Sequence, residues 1–215
     1  MLTRRHFIAG TTAFFIAACG EDKITAQTPA QSGPVAPARR SAKEAAAKLI
    51  AAARQQIGVT LHYDPAYTSL AFPNGDVPRE KGVCTDVVIR AYRDAFGIDL
   101  QSLVNADMRS AFGAYPKRWG LARPDRNIDH RRVPNLETYF ARQSAKLPLT
   151  TDPQSWHPGD IFTAMISNKL PHIGIISDRV TPSGEPLIIH NIGNGTQEEA
   201  ALFDHKLTGH FRWRV

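Results

Sequence analysis

Cysteine is scarce in this chain: Cys19 and Cys84 are the only two in 215 residues. Two thiols cannot build a multi-bridge disulfide scaffold or a cysteine-based zinc cluster. Long apolar runs are missing as well. The longest, residues 7–18, is broken by Gly10, Thr11 and Thr12. It would span about 18 Å as a helix, short of a hydrocarbon core about 30 Å thick. Basic runs never exceed two residues, and the positive charge reads as spread along the chain. With no nucleic-acid-binding signature, the formal charge of +6 does not argue for nucleic acid as a partner. What remains is ordinary for a globular protein. The chain is 42% apolar and 21% charged, which excludes a disordered one. At roughly 150 residues per domain, the length predicts one domain plus tails.

The start of the chain reads as an address. Arg4 and Arg5 stand before the apolar run, in the order of a charged n-region and an h-region. The stretch Thr3-Arg4-Arg5-His6-Phe7-Ile8 resembles a twin-arginine export signal. The stretch Ile16-Ala17-Ala18-Cys19-Gly20 resembles the lipobox of bacterial lipoproteins. Together these resemblances imply a signal peptide over residues 1–18 and lipidation at Cys19. They also imply residence on the periplasmic side of a bacterial membrane, held by a lipid anchor. The alternative is an ordinary signal peptide in which Cys19 is incidental. Residues 20–40 contain three prolines, two glycines and no apolar periodicity. The expected organisation is therefore a flexible tether over 19–41 and a folded domain over 42–215.

Within that domain, Ser41-x-x-Glu44 forms a capping-box pattern ahead of an alanine-rich run, which predicts a helix over 42–57. A long loop over 59–78 follows and carries Tyr63, Tyr67 and Phe72. Apolar residues at 87, 88, 91, 92, 95 and 96 make one helical face ended by Gly97, so Cys84 falls at or just before a helix N-terminus. Asp99 caps a further helix over 100–112, and another fits 134–144. After Pro148 the apolar period changes. Strands are expected over 160–166, 172–178, 186–192 and 210–215. Helices first and an antiparallel sheet second make an α+β domain.

Cys84 carries the first chemical signal. A thiol at a helix N-terminus feels the positive end of the dipole and unpaired backbone N–H groups, both of which favour the reactive thiolate. A buried structural cysteine is the bland alternative. His172 and His190 carry the second signal. Both sit in apolar strand runs, where a histidine costs desolvation unless it has a partner. Adjacent strands can bring them side by side. A cysteine on a packed helix then completes a nucleophile–base–orienter set: Cys84 attacks a carbonyl, His172 carries the proton, and His190 holds the far ring nitrogen.

The string Trp156-His-Pro158-Gly159-Asp160 before a strand, the string His172-Ile-Gly174-Ile in the next, and the helix-opening cysteine resemble the NlpC-type cell-wall peptidases. The strings Gly82-Val-Cys84-Thr-Asp86, Asn127-Ile-Asp-His-Arg-Arg-Val-Pro-Asn135 and Ile189-His190-Asn191-Ile-Gly193 resemble an uncharacterised bacterial domain family allied to them. The resemblance covers about residues 43–215. It implies a papain-like fold, with Cys84 as nucleophile, His172 as base and His190 as third member. The peptidases' usual Asp-Cys-Ser is Val83-Cys84-Thr85 here, which leaves Tyr63 or Tyr67 as candidate hydroxyls for the oxyanion. The interval from Cys84 to His172 is longer than in compact members, which implies an inserted helical region.

Other assignments stay open at this stage. Asn191 is the alternative third member, although strand alternation lets only one of His190 and Asn191 face His172. Asp86 could contact the site or serve the helix dipole. Asp129, Arg131 and Arg132 could bind a substrate carboxylate or simply be a solvated loop. A zinc site on Cys84, His172 and His190 lacks a short-spaced ligand pair, so neither a metal nor another cofactor is expected. The expected function is an envelope cysteine hydrolase cleaving an amide of peptidoglycan stem peptides through a thioester, acting as a monomer on a peptidoglycan or peptide substrate. The alternatives are an acyltransferase or another amide or ester hydrolase on the same fold, or a non-catalytic binding lipoprotein.

Overall fold

The structure, a computed structural model, describes residues 35–215. The signal peptide, Cys19 and most of the tether expected from the sequence lie outside the described residues. Helix α1 spans Val35–Arg54, so it starts before residue 42 and takes in residues assigned above to the tether. The run is rich in alanine, the best helix former. Leu49, Ile50 and Ala53 form its buried stripe.

A small parallel pair follows, β1 (His62–Tyr63) beside β2 (Lys81–Gly82). Helix α2 (Cys84–Phe96) ends at Gly97, whose φ of 66° is the left-handed conformation that glycine adopts without strain. Helix α3 (Leu100–Ala111) is capped by Asp99, whose carboxylate accepts the Gln101 N–H at 3.0 Å. Helix α4 (Val133–Arg142) carries Pro134 in its first turn.

Five strands form the main sheet: β3 (Ile161–Ile166), β4 (Leu170–Val180), β5 (Pro186–Asn191), β6 (Thr196–Glu199) and β7 (Lys206–Phe211). Their order is β6-β5-β4-β3-β7, and every neighbouring pair is antiparallel. The described residues thus form a mixed α+β domain with four α-helices and an antiparallel five-stranded sheet. Two expectations need correction. Strand β6 has no apolar alternation to announce it. The last strand lies at 206–211 rather than 210–215, because β3 pairs with Lys206–Phe211 across a bulge at Thr163/Ala164.

Helices α1, α2 and α4 pack against the sheet, and the main core includes Leu49, Val88, Leu136, Phe140, Ile173 and Ile175. A fully buried aliphatic side chain of this kind contributes roughly 1.5–3 kcal/mol. A second cluster joins Trp156, Phe162, Ile176, Ile188 and Leu202. Strand β4 lies between β3 and β5, and Gly174 makes its close contacts possible. A Cβ there would sit 2.6 Å from the Phe162 ring, 2.8 Å from the Ile189 carbonyl and 2.9 Å from the His190 Cβ. Any side chain at this position would push His190 away from β4. No helix among the described residues is long and apolar enough to cross a membrane.

Candidate active site

Cys84 is the first residue of α2 and is 4% exposed. Three elements fix its surroundings. The β1–β2 register places Tyr63 opposite Gly82, two residues before the thiol, and Tyr63 and Cys84 line the same cleft. Helix α2 packs on β4, and Cys84 and Ile173 belong to the same buried cluster. On the far side, Asp86 folds back to accept the Val83 N–H at 2.7 Å. Arg131 grips the same carboxylate with Nε at 2.9 Å and Nη2 at 2.8 Å. The Thr85 hydroxyl donates to the Arg131 carbonyl at 3.1 Å. Asp86 and Arg131 are both buried, and their pairing braces the turn that presents the thiol.

The thiol is not the resting thiolate that the helix position predicts. Burial penalises its charged form, and the Asp86 carboxylate adds to that; hydrogen bonds from Ile173, Tyr63 and Thr85 pull the other way. The balance pushes Cys84 up to about 11. Desolvation outweighs the helix dipole at this position. Burial, with the Cys84 and Asp86 charges adding to it, also raises the Tyr63 hydroxyl, which therefore stays protonated as a donor.

His172 opens the buried part of β4, one residue before Ile173, and His190 lies in β5. His172 Nε2 and His190 Nδ1 are 2.8 Å apart, and His190 Nε2 and Glu199 Oε1 are also 2.8 Å apart. Burial is the chief reason that both rings are neutral: it lowers His190 and drives His172 down to about 3. The tautomers follow from the partners. A carboxylate only accepts, so His190 Nε2–H donates to Glu199 and leaves Nδ1 as an acceptor. His172 must then donate Nε2–H to His190, and its own Nδ1 carries a lone pair. No hydrogen bond among the described residues ends on that Nδ1. The site thus holds a neutral thiol near a strand whose histidine keeps a free acceptor nitrogen, with a donor chain running His172 to His190 to Glu199.

The other predicted residues separate. His190, and not Asn191, partners His172; Asn191 turns away, with Nδ2 3.4 Å from the Gly82 carbonyl. Tyr67 is not beside Cys84. Its hydroxyl lies 3.0 Å from Asp125 and 2.8 Å from Asn127, because it belongs to the far end of the loop. Asp86 serves the helix turn. Arg131 is spent on Asp86, so it is not a free fork for a carboxylate. Arg132 pairs with Asp129 at 2.9 Å and lies 4.2 Å over the Trp119 ring. A cleft of about 250 Å³ opens on Cys84, walled by Tyr63, Pro65, Arg118, Trp119, Arg132 and Pro171 among others. Sequence reasoning missed Glu199 and Trp119. Glu199 lies on the unannounced strand β6, and Trp119 lies in an irregular segment with no periodicity. Among the described residues, no group of three or more His, Cys, Asp or Glu is placed to hold a metal ion.

A family model for a domain of unknown function, DUF1287, matches residues 50–213. The chain belongs to the DUF1287 family. The match takes in Cys84, His172, His190 and Glu199. The uncharacterized protein YijF of Escherichia coli (strain K12) is 55% identical over 163 residues, which are 76% of this chain and 79% of the relative. The DUF1287 region begins within α1 and ends just after β7, so it coincides with the α+β domain.

Proposed function

We propose that this DUF1287 protein is a cell-envelope cysteine hydrolase with an NlpC-type, papain-like fold, and that it cleaves an amide bond in peptidoglycan stem peptides. The observation that carries the reading is the His172–His190–Glu199 chain, which leaves one acceptor nitrogen free on β4, the strand against which the Cys84 helix packs. In this mechanism Cys84 Sγ attacks the substrate carbonyl carbon as its proton passes to His172 Nδ1. The neutral starting pair means that proton transfer accompanies attack. The imidazolium formed is stabilised through His190 by the Glu199 carboxylate. The Tyr63 hydroxyl, protonated and on the wall of the same cleft, supports the developing oxyanion. His172 then gives the proton to the leaving amine and the C–N bond breaks. Water, deprotonated by His172, hydrolyses the thioester and restores the thiol.

Cys19 as a lipid anchor behind a twin-arginine signal belongs to the same reading, since a tethered envelope enzyme has the cell wall within reach. The test is incubation of the protein with peptidoglycan fragments, followed by mass spectrometry. New fragments that disappear with Cys84→Ala support the reading; unchanged fragments with both proteins overturn it.

One observation favours a second reading, a binding lipoprotein that keeps the scaffold without catalysis. The Cys84 thiol is 4% exposed and held protonated by burial. Iodoacetamide labelling distinguishes the two. Labelling at pH 7 that falls sharply in His172→Ala supports the hydrolase, because it requires a base at the sulfur; labelling indifferent to His172 supports the scaffold.

A further inference from the structure

The net positive charge is not spread evenly once it is counted by region. Residues 105–132 carry seven Lys and Arg against three Asp. The remaining described residues, 35–104 and 133–215, carry sixteen bases against fifteen acids. Nearly all the excess charge of the described domain therefore sits in one segment, from the second half of α3 to the start of α4. This segment falls within the interval between Cys84 and His172.

Three of its arginines, Arg109, Arg123 and Arg126, line one cleft of about 680 Å³. None of them forms an ion pair among the described residues. Arg126 lies 5.5 Å from the Phe72 ring centroid, and Arg109 and Arg123 have no polar partner there. Among the described residues, Asp125 is the one acid lining the cleft, and it is already engaged. Its carboxylate lies 3.0 Å from the Tyr67 hydroxyl and accepts the Asn127 N–H at 2.9 Å. The wall is built rather than loose. Asn127 accepts the Leu70 N–H at 3.0 Å, and Gln101 Nε2 donates to the Ala71 and Arg126 carbonyls at 3.0 Å each. These bonds stitch the loop that carries Tyr63 and Tyr67 to the loop that carries the arginines. The same two loops wall the Cys84 cleft, through Tyr63 and Pro65 on one side and Arg118 and Trp119 on the other.

We propose that this second cleft is an anion-binding subsite, taking a multiply charged oxyanion group, phosphate or carboxylate, in an extended ligand that can continue toward Cys84. Three guanidinium groups around one space repel one another, and an oxyanion accepting their forked N–H groups relieves that repulsion. The cleft binds whether or not Cys84 is a nucleophile, so its test is separate from that of the hydrolase.

The test is calorimetric titration of the full chain with inorganic tripolyphosphate and, in parallel, tricarballylate. The expected result is saturable one-site binding of at least one probe, and the tighter probe names the anion. The double substitution Arg123→Gln with Arg126→Gln should weaken binding about tenfold or more, while Cys84→Ala and the exposed Lys169→Ala leave it unchanged. These arginines are exposed, and an unchanged melting curve confirms that the double variant is folded. Should it nonetheless unfold, the single substitution Arg109→Gln, at the end of α3, takes its place. No saturable binding of either probe overturns the proposal. Equal weakening by Lys169→Ala does so too, because it would reduce the effect to diffuse charge.

Discussion

His210 and His172 are both strand histidines of the same sheet, 2% and 3% exposed, yet their ring nitrogens end differently. His210 Nε2 meets Asp160 at 2.7 Å, and Nδ1 lies 3.4 Å from the Pro148 carbonyl. Asp160 in turn takes the Arg212 fork at 2.7 and 2.8 Å and the His157 N–H at 2.9 Å, while Trp156 stacks on the His210 ring with centroids 3.8 Å apart. Both His210 ring nitrogens and both Asp160 carboxylate oxygens face partners, so the network is a closed brace. The His172 network has the same ingredients, histidine and carboxylate, but is open at one end. Glu199 is 43% exposed at its outer end, and the Nδ1 lone pair of His172 is unclaimed at its inner end. A buried polar chain that closes on itself stabilises; one that leaves an acceptor nitrogen unclaimed on β4, the strand against which the Cys84 helix packs, is what the proposed hydrolase needs. The Asp86–Arg131 pair belongs to the first kind, although it lies next to the thiol.

The comparison breaks most visibly at the two extremes. Cys84→Ala should abolish turnover while leaving the melting temperature close to that of the parent, because a small buried thiol is replaced by a small apolar group. Residual fragment release by that variant would move the nucleophile elsewhere. Asp160→Ala should do the reverse. Removing one partner of a buried ionic network costs about 3–5 kcal/mol. Chemical denaturation should show that loss, while the folded fraction keeps its thiol reactivity. Loss of reactivity without loss of stability would mean that the brace is part of the site.

Acid exposes the next difference. Burial is the main cause that lowers His130 to about 4 and His172 to about 3. An unfolded imidazole takes its proton near the ordinary value of about 6.5. Below that pH the unfolded chain binds protons that the folded chain refuses, so stability is full above about 6.5 and falls as the pH drops from there toward 4. The expected slope is about 1.4 kcal/mol per pH unit for each histidine. Thermal melts between pH 4 and 7 check it, and His130→Gln should reduce the slope without touching activity. The smallest expected effect is at the exposed end of the open chain. Glu199→Gln should lower kcat roughly tenfold, because the imidazolium loses a charged partner, with little change in melting temperature. An unchanged kcat would leave His190 as the end of the chain.

The sequence made part of this legible for identifiable reasons. His172 and His190 stood out because a titratable ring inside an apolar strand run is costly, and two such strands point to pairing. Cys84 stood out because the apolar face of α2 and Gly97 fix the phase of the helix. Glu199 did not, because β6 reads Thr-Gln-Glu-Glu after a glycine-rich turn, and only pairing with β5 turns a polar tetrapeptide into a strand. The choice between Tyr63 and Tyr67 needed the β1–β2 register, a contact between two-residue strands that no periodicity marks. The thiol's electrostatics depended on burial, which lies in the packing of α2 against β4. His210 had no visible partner in sequence because Asp160 lies 50 residues away, across the β3–β7 pairing.

The most direct measurement is long-range ¹H–¹⁵N correlation NMR of the histidine rings between pH 5 and 8. The account predicts that His172 and His190 are both neutral Nε2–H tautomers throughout that range, with His172 Nδ1 unprotonated. A His172 ring that carries its proton on Nδ1, or that titrates near 6.5, would remove the free acceptor and contradict it.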